Sequence, residues 1–227
     1  MSVSLIIPAF NAAGTLRETL ESVAAQSVPL DEVIVVDDGS TDSTAEIAES
    51  FSGVRLIRQA NNGAAAALNA GLALVSGSVF AFLDADDLWT PDTVRRQLEN
   101  LAAQSDADAS VGWVEEFICT SLDEAEARRF KVRPAQLGWL SGTTFVSASS
   151  FHKVGSFDSQ AQTWPWIDWA HRGKLAGLKF AALDHVILKR RLHPSSLSMR
   201  VENKGGVNLI GAARQALQRR RMAAKLE

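Results

Sequence analysis

The chain has 227 residues, of which 46% are hydrophobic, 22% charged and 7% aromatic, a balance that excludes disordered, collagen-like and coiled-coil classes. With 23 basic and 26 acidic side chains the net charge is −3, so no overall field favours nucleic acid. Cys119 is the single cysteine. It excludes an intrachain disulfide and fits a reducing, cytoplasmic setting, and no apolar run reaches the roughly 20 residues of a bilayer span.

In chain order, Val3–Pro8, Glu32–Asp37, Val54–Arg58 and Val79–Asp84 are brief, β-branched-rich apolar runs, the pattern of strands buried on both faces. Leu16, Leu20, Val23 and Ala24 recur at helical spacing behind Thr15 and Glu18, which are spaced as a capping box. Ser43 and Glu46 repeat that signature before a second helix. Leu68, Leu72 and Val75 mark a third, stopped by Gly77, and Thr90-Pro91 opens a fourth that turns Val94, Leu98 and Leu101 inward. Four β-then-α units in series predict a mostly parallel sheet with helices on both faces. After residue 105, Ala109–Phe117 and Thr143–Ser147 read as strands and Thr120–Pro134 as a charged segment. Ser150–Val154 and Ile167–Ala176 read as short helices, Phe180–His193 as one long strand or a pair, and Leu209–Leu226 as a terminal helix. Residues 201–227 hold six basic side chains against Glu202 and Glu227. This basic tail is either a solvated helix face or a peripheral contact with an anionic membrane.

In an open α/β sheet, ligands bind beyond the carboxyl ends of the strands. Three of the expected strands end in polar runs: Pro8-Ala9-Phe10-Asn11, Asp37-Asp38-Gly39-Ser40-Thr41-Asp42 and Asp84-Ala85-Asp86-Asp87. Carboxylates converging on one rim repel unless a cation or donor groups absorb their charge. Oxygen-rich clusters suit Mg²⁺ or Mn²⁺, shared with substrate phosphates. The plainer reading of Asp42 is a helix cap.

The segments IIPAFNAAGTL, VVDDGSTDST, NNGAAAALNAGL, FLDADD and VGSFD together resemble glycosyltransferase family 2, the inverting, nucleotide-sugar-dependent enzymes of the GT-A fold. The resemblance runs from residue 3 to about 198. It implies a nucleotide-sugar half over 1–105, an acceptor half over 106–200 and the tail 201–227. It implies a nucleotide-diphosphate sugar donor, UDP-linked, an acceptor hydroxyl on a saccharide, lipid carrier, peptide or small molecule, and Mn²⁺ or Mg²⁺. By resemblance Pro8, Phe10, Asn11 and Asp38 line the base and ribose pocket. Asn62, Gly63 and Asn69 approach the phosphates or sugar, and Asp84-Ala85-Asp86 is the DxD motif. Asp86 or Asp87 then holds the cation and its neighbour the ribose. Where many members carry Arg before the matching Asn, this chain has Leu68, and Arg191 or Arg200 are the candidates to compensate. Asp168 matches the family's base, with Ile167 in place of the usual Glu; a helix cap is its alternative role. His193 is a candidate for the metal or diphosphate and equally for a structural histidine. Trp164, Trp166 and Trp169 offer faces to a sugar, with at least one expected in the core. The rival classes are a sugar-1-phosphate nucleotidyltransferase, disfavoured because no Gly-rich, cationic loop follows the first strand, and a binding module whose catalytic half has decayed.

Overall fold

The computed structural model describes residues 1–159, 164–194 and 196. The first half alternates as its apolar runs require: β1 (Val3–Ala9), α1 (Leu16–Ala24), β2 (Glu32–Asp37), α2 (Thr44–Glu49), β3 (Arg55–Arg58), α3 (Ala64–Leu72), β4 (Val79–Phe82), β5 (Leu88–Trp89) and α4 (Thr93–Ala103). The second half gives β6 (Ala109–Ile118), α5 (Glu124–Ala127), β7 (Gln136–Leu137), a 3-10 turn at Ser141–Thr143, β8 (Thr144–Ser147), α6 (Ala148–Val154), α7 (Pro165–Leu175) and β9 (Phe180–Leu192).

The strands form one sheet in the order β3-β2-β1-β4-β8-β6-β9-β5, with β7 on β6. β1 pairs in parallel with β2 and β4, and β6 pairs in parallel with β9, while β8 runs antiparallel between β4 and β6. Both halves of the chain therefore share one sheet, and β5 of the first half closes onto β9 of the second.

Strand side chains alternate between faces, so β1 feeds two cores. Leu5 and Ile7 pack with Leu16, Leu20 and Val23 of α1. Ile6 packs on the other face with Ala67 and Leu68 of α3 and, further along, Trp166 and Trp169 of α7. Residues apolar on both sides, such as Leu5, Ile6 and Ile7, are fully buried, which is why the run lacks the polar alternation of a one-faced sheet.

Several local expectations are corrected by tertiary contacts. Neither Thr15 nor Ser43 caps its helix through its side chain; the Thr15 hydroxyl instead donates to Ala85 O at 2.9 Å. Helix α4 begins at Thr93 rather than at Pro91, because Thr90 Oγ1 is drawn to Val186 O at 3.2 Å. Helix α3 ends at Leu72 rather than running on to Gly77; a side chain at Gly77 would meet Ser4 Oγ at 2.5 Å, so this glycine serves a close strand approach. Strand β4 ends at Phe82, leaving Asp84 in the loop beyond it. Phe180–Leu192 is a single strand. The expected helix Leu209–Leu226, the basic tail 201–227 and Arg200 lie outside the described residues.

Candidate active site

At the carboxyl ends of β1, β2 and β4 opens a cleft of about 460 Å³, within the range of small-molecule sites. The wall from the first half of the chain carries Pro8, Phe10, Asn11, Asp38, Asn61 and Gly63. Asp38 is buried, and its carboxylate accepts from Gln59 Nε2 at 2.7 Å, Asn62 N at 2.9 Å and Gly63 N at 2.8 Å. It thereby shapes the 59–63 loop. Gly39 permits the same packing: its φ is +79°, and a Cβ there would stand 2.9 Å from Asn61 N, a conformation and approach open to glycine alone. Asn11, itself at φ +50°, accepts from Thr41 N at 2.9 Å through Oδ1. Asp42, one residue before the N-cap Ser43 of α2, ties two loops: it accepts from Thr44 N and Ala13 N, both at 3.1 Å, and it does not line the cleft. Phe10 stays exposed on the cleft wall, a free ring surface for a flat ligand.

The floor is the loop Asp84–Asp87, bonded on both sides. Thr15, at the N-cap of α1, and Thr19 within it donate to Ala85 O at 2.9 and 3.1 Å. From β9, Arg191 N donates to Asp87 Oδ1 and Arg191 Nε to Asp86 O, each at 2.9 Å. The ligand oxygens of Asp84, Asp86 and Asp87 all lie within 4.8 Å of one another. Burial, then the charges of Asp86 and Asp84, push the Asp87 carboxyl well above its ordinary range. Asp84 opens to solvent through the cleft but is walled by protein elsewhere; desolvation and then Asp86 push it up to about 6, against the opposing pull of Arg190 and Ser141. This is negative charge crowded onto hard oxygen donors. The set fits Mg²⁺ or Mn²⁺, and Asp84, Asp86 and Asp87 are the residues that could hold it. His193 Nε2 lies 2.8 Å from Asp86 Oδ2, placed to orient that carboxylate.

The opposite wall comes from the second half and carries Trp139, Leu140, Ser141, Trp164, Trp166, Ile167 and Arg190. Trp164 caps α7 at φ +68° with Pro165 at N1, an uncommon backbone for a bulky residue. Trp166 lines the cleft although it is buried. Trp169 is wholly buried, stacked on Phe151 at 4.7 Å and on Trp166 at 5.1 Å, with Nε1 donating to Gly155 O at 2.9 Å. It is the core member of the trio.

Three further sequence candidates, Asn62, Asn69 and Asp168, sit away from the cleft lining, and Arg191 borders it with its side chain committed elsewhere. Asn62 contributes its backbone N to Asp38 while its side-chain amide donates to Ala60 O. Asn69 is bound in both directions to the Phe157 backbone, at 2.9 and 3.0 Å, so its amide joins α3 to the following loop. Asp168 accepts from Arg172 Nε at 2.9 Å, and Arg172 in turn donates to Val154 O and Ser156 O; the neighbour Ile167 faces the cleft instead. Arg191 reaches inward to Glu18 at 2.7 Å, its side chain 1% exposed, which commits the residue named as a candidate to compensate for Leu68. Asn61, Trp139, Ser141 and Arg190 were missed. Strand alternation held the signal for Arg190, since it must point opposite to its neighbour Arg191; nothing local marked Trp139.

Among solved structures the chain is similar to S. aureus TarS in complex with UDP, with a TM-score of 0.67 at 18% identity over 86% of this chain and 61% of that one. The TarS complex with UDP-GlcNAc gives a TM-score of 0.68 at 18% identity, covering 86% and 60%. These likenesses establish the GT-A fold. Among curated proteins it is 30% identical to an uncharacterized glycosyltransferase of Rickettsia prowazekii (strain Madrid E) over 84% of this chain and 64% of that protein. It is 40% identical to the uncharacterized glycosyltransferase YibD of Escherichia coli (strain K12) over 48% of this chain and 32% of that protein. The chain thus spans less than two thirds of the relatives it matches. The family described as "Glycosyl transferase family 2" matches residues 4–186, a stretch that runs from β1 through α7 into β9, and on that match the chain belongs to glycosyltransferase family 2.

Proposed function

We propose that the protein transfers a sugar from a nucleotide-diphosphate donor, UDP-linked, to an acceptor hydroxyl with inversion at the anomeric carbon and with Mn²⁺ or Mg²⁺ bound. The observation that carries this reading is the Asp84–Asp86–Asp87 cluster, crowded within 4.8 Å at the floor of a cleft whose neighbouring wall holds Asp38 and the exposed Phe10. Phe10 and Pro8 take the flat base between them, and the remaining acceptor capacity of Asp38 meets base or ribose donors. A divalent ion on the three aspartates supplies charge neutralisation for the departing nucleotide diphosphate. His193 keeps Asp86 oriented. Trp164 and Trp166 offer faces to the apolar side of a sugar ring, and the wall around Trp139 receives the acceptor.

Asp168 is the proposed base on family resemblance. Arg172 holds its carboxylate, and the role requires that carboxylate to meet the acceptor hydroxyl once substrates are bound. The second reading is a donor-binding module without transfer, favoured by Ile167 and by the placement of Asp168 behind it. Incubation with Mn²⁺ and a panel of UDP-sugars separates the two. The transferase releases UDP, and Asp168→Asn lowers that rate by about 10²- to 10⁴-fold with donor affinity unchanged. Tight, metal-dependent UDP binding with no release for any sugar is the result of the binding module.

A further inference from the structure

Segment 138–143 leads from β7 back to the cleft and is anchored on both sides of Trp139. Gly138 N donates to Gly112 O at 3.0 Å. Thr143 Oγ1 donates to Gly138 O at 2.6 Å and accepts from Leu140 N at 3.2 Å. Two residues past the tryptophan, Ser141 Oγ lies 3.4 Å from Asp84 Oδ1, which ties the segment to the floor of the cleft.

The Trp139 ring is itself held. Lys174 Nζ of α7 stands 3.6 Å from its centroid, and the Phe180 ring meets it at 5.2 Å with the planes 65° apart. Even with these contacts Trp139 is 38% exposed and lines the cleft, whereas Trp89, Trp166 and Trp169 are buried. An aromatic side chain fixed before a ligand arrives loses little further freedom on binding, so its exposed surface is preorganised for contact. That surface is one ring flanked by the Ser141 hydroxyl and the Lys174 ammonium. A pyranose matches it, with an apolar C–H face rimmed by hydroxyls. A polyisoprenoid chain needs apolar surface that continues well beyond one ring.

We propose that the acceptor is a saccharide and that Trp139 is its platform, the indole taking the C–H face of the acceptor ring and thereby fixing which hydroxyl turns toward the donor. This names the acceptor of the transfer proposed above and rests on that reading. The test is steady-state UDP release with Mn²⁺ and a panel of UDP-sugars. The added acceptors are methyl glycosides of glucose, galactose and N-acetylglucosamine, a peptide containing Ser and Thr, and a polyisoprenyl phosphate in detergent. A methyl glycoside is expected to accelerate release. Trp139→Ala is expected to raise the KM of that glycoside by about 5- to 10-fold, with a smaller change in donor KM, and Trp139→Phe to recover part of the loss. Leu175→Ala, an exposed apolar position of α7 outside the cleft lining, is expected to leave both constants unchanged. Thermal melts verify folding, and should Trp139→Ala not fold, Trp139→Leu, which keeps bulk without the aromatic face, carries the test. Equal rises in the two KM values, or release accelerated only by the peptide or the polyisoprenyl phosphate or by no acceptor, overturn this inference and leave the donor reading standing. A chain that binds UDP with Mn²⁺ in calorimetry but releases none from any UDP-sugar is the binding module, which overturns the inference and the transfer. A chain that does not bind UDP overturns the donor reading as well.

Discussion

Asp38 is held by three donors, two of them backbone amides, and the Asp84–Asp87 loop is bonded to both α1 and β9. The opposite wall is built from aromatic rings and paired ions: Trp139 under Lys174 Nζ at 3.6 Å, Trp164 at a helix cap, and Arg190 shared with Arg133 on Glu116. The first wall is fixed by main-chain hydrogen bonds over short stretches. The second is fixed by side chains that meet across long sequence distances. On the proposed reading the diphosphate, common to all nucleotide-diphosphate sugars, rests on the rigid, preorganised floor, whereas a wall of side chains can be varied without disturbing the sheet.

That contrast can be broken by mutation. The largest expected effect is on stability. Trp169→Ala removes a wholly buried ring stacked on two others and should cost about 3–5 kcal/mol. Trp164→Ala, at the cleft edge, should cost far less by the same denaturant titration. Equal losses would mean that the aromatic wall is core throughout. Next comes Asp38→Asn, which turns an NH₂ group toward donors that need an acceptor. We expect a loss of about 2 kcal/mol together with weaker nucleotide binding, read by thermal melting with and without UDP. Full retention of both would show that the 59–63 loop is held without Asp38.

The smallest effect is a pH dependence. Asp84 and Asp87 titrate above their unfolded values, so their contribution to stability is full at low pH and is lost as pH rises through their folded pKa values. The metal-free chain should therefore gain melting temperature from these groups as pH falls from about 7 to about 5, near the Asp84 value of about 6. Saturating Mg²⁺ should flatten or reverse that trend, because protons compete with the ion. A metal-free profile that instead falls steadily with acidification would contradict the crowding of these carboxylates.

Legibility in the sequence followed the same division. Strands β1, β2 and β4 were readable because a short, β-branched apolar run is what a strand buried on both faces requires, and the polar residues that follow them mark the rim. The two-residue strands β5 and β7 were not, since each is defined by its partner, β9 or β6. Capping was redirected for the same reason: Thr15 stands at the N-cap of α1 but its hydroxyl serves Ala85, and Thr90 serves Val186 while α4 begins only at Thr93. Asn69 matches a ligand contact by family resemblance alone; only the fold brings Phe157 to its amide. Trp139 gave no signal, because its place on the wall depends on β6 and β7 pairing around it.

Divalent-dependent binding of UDP to the wild-type chain, compared with Asp86→Asn in one isothermal titration, tests the central claim most directly. The account predicts UDP binding with Mn²⁺ that falls steeply when EDTA removes the ion, and a loss of about 100-fold or more in Asp86→Asn. UDP affinity that is indifferent to both the ion and the substitution would contradict it.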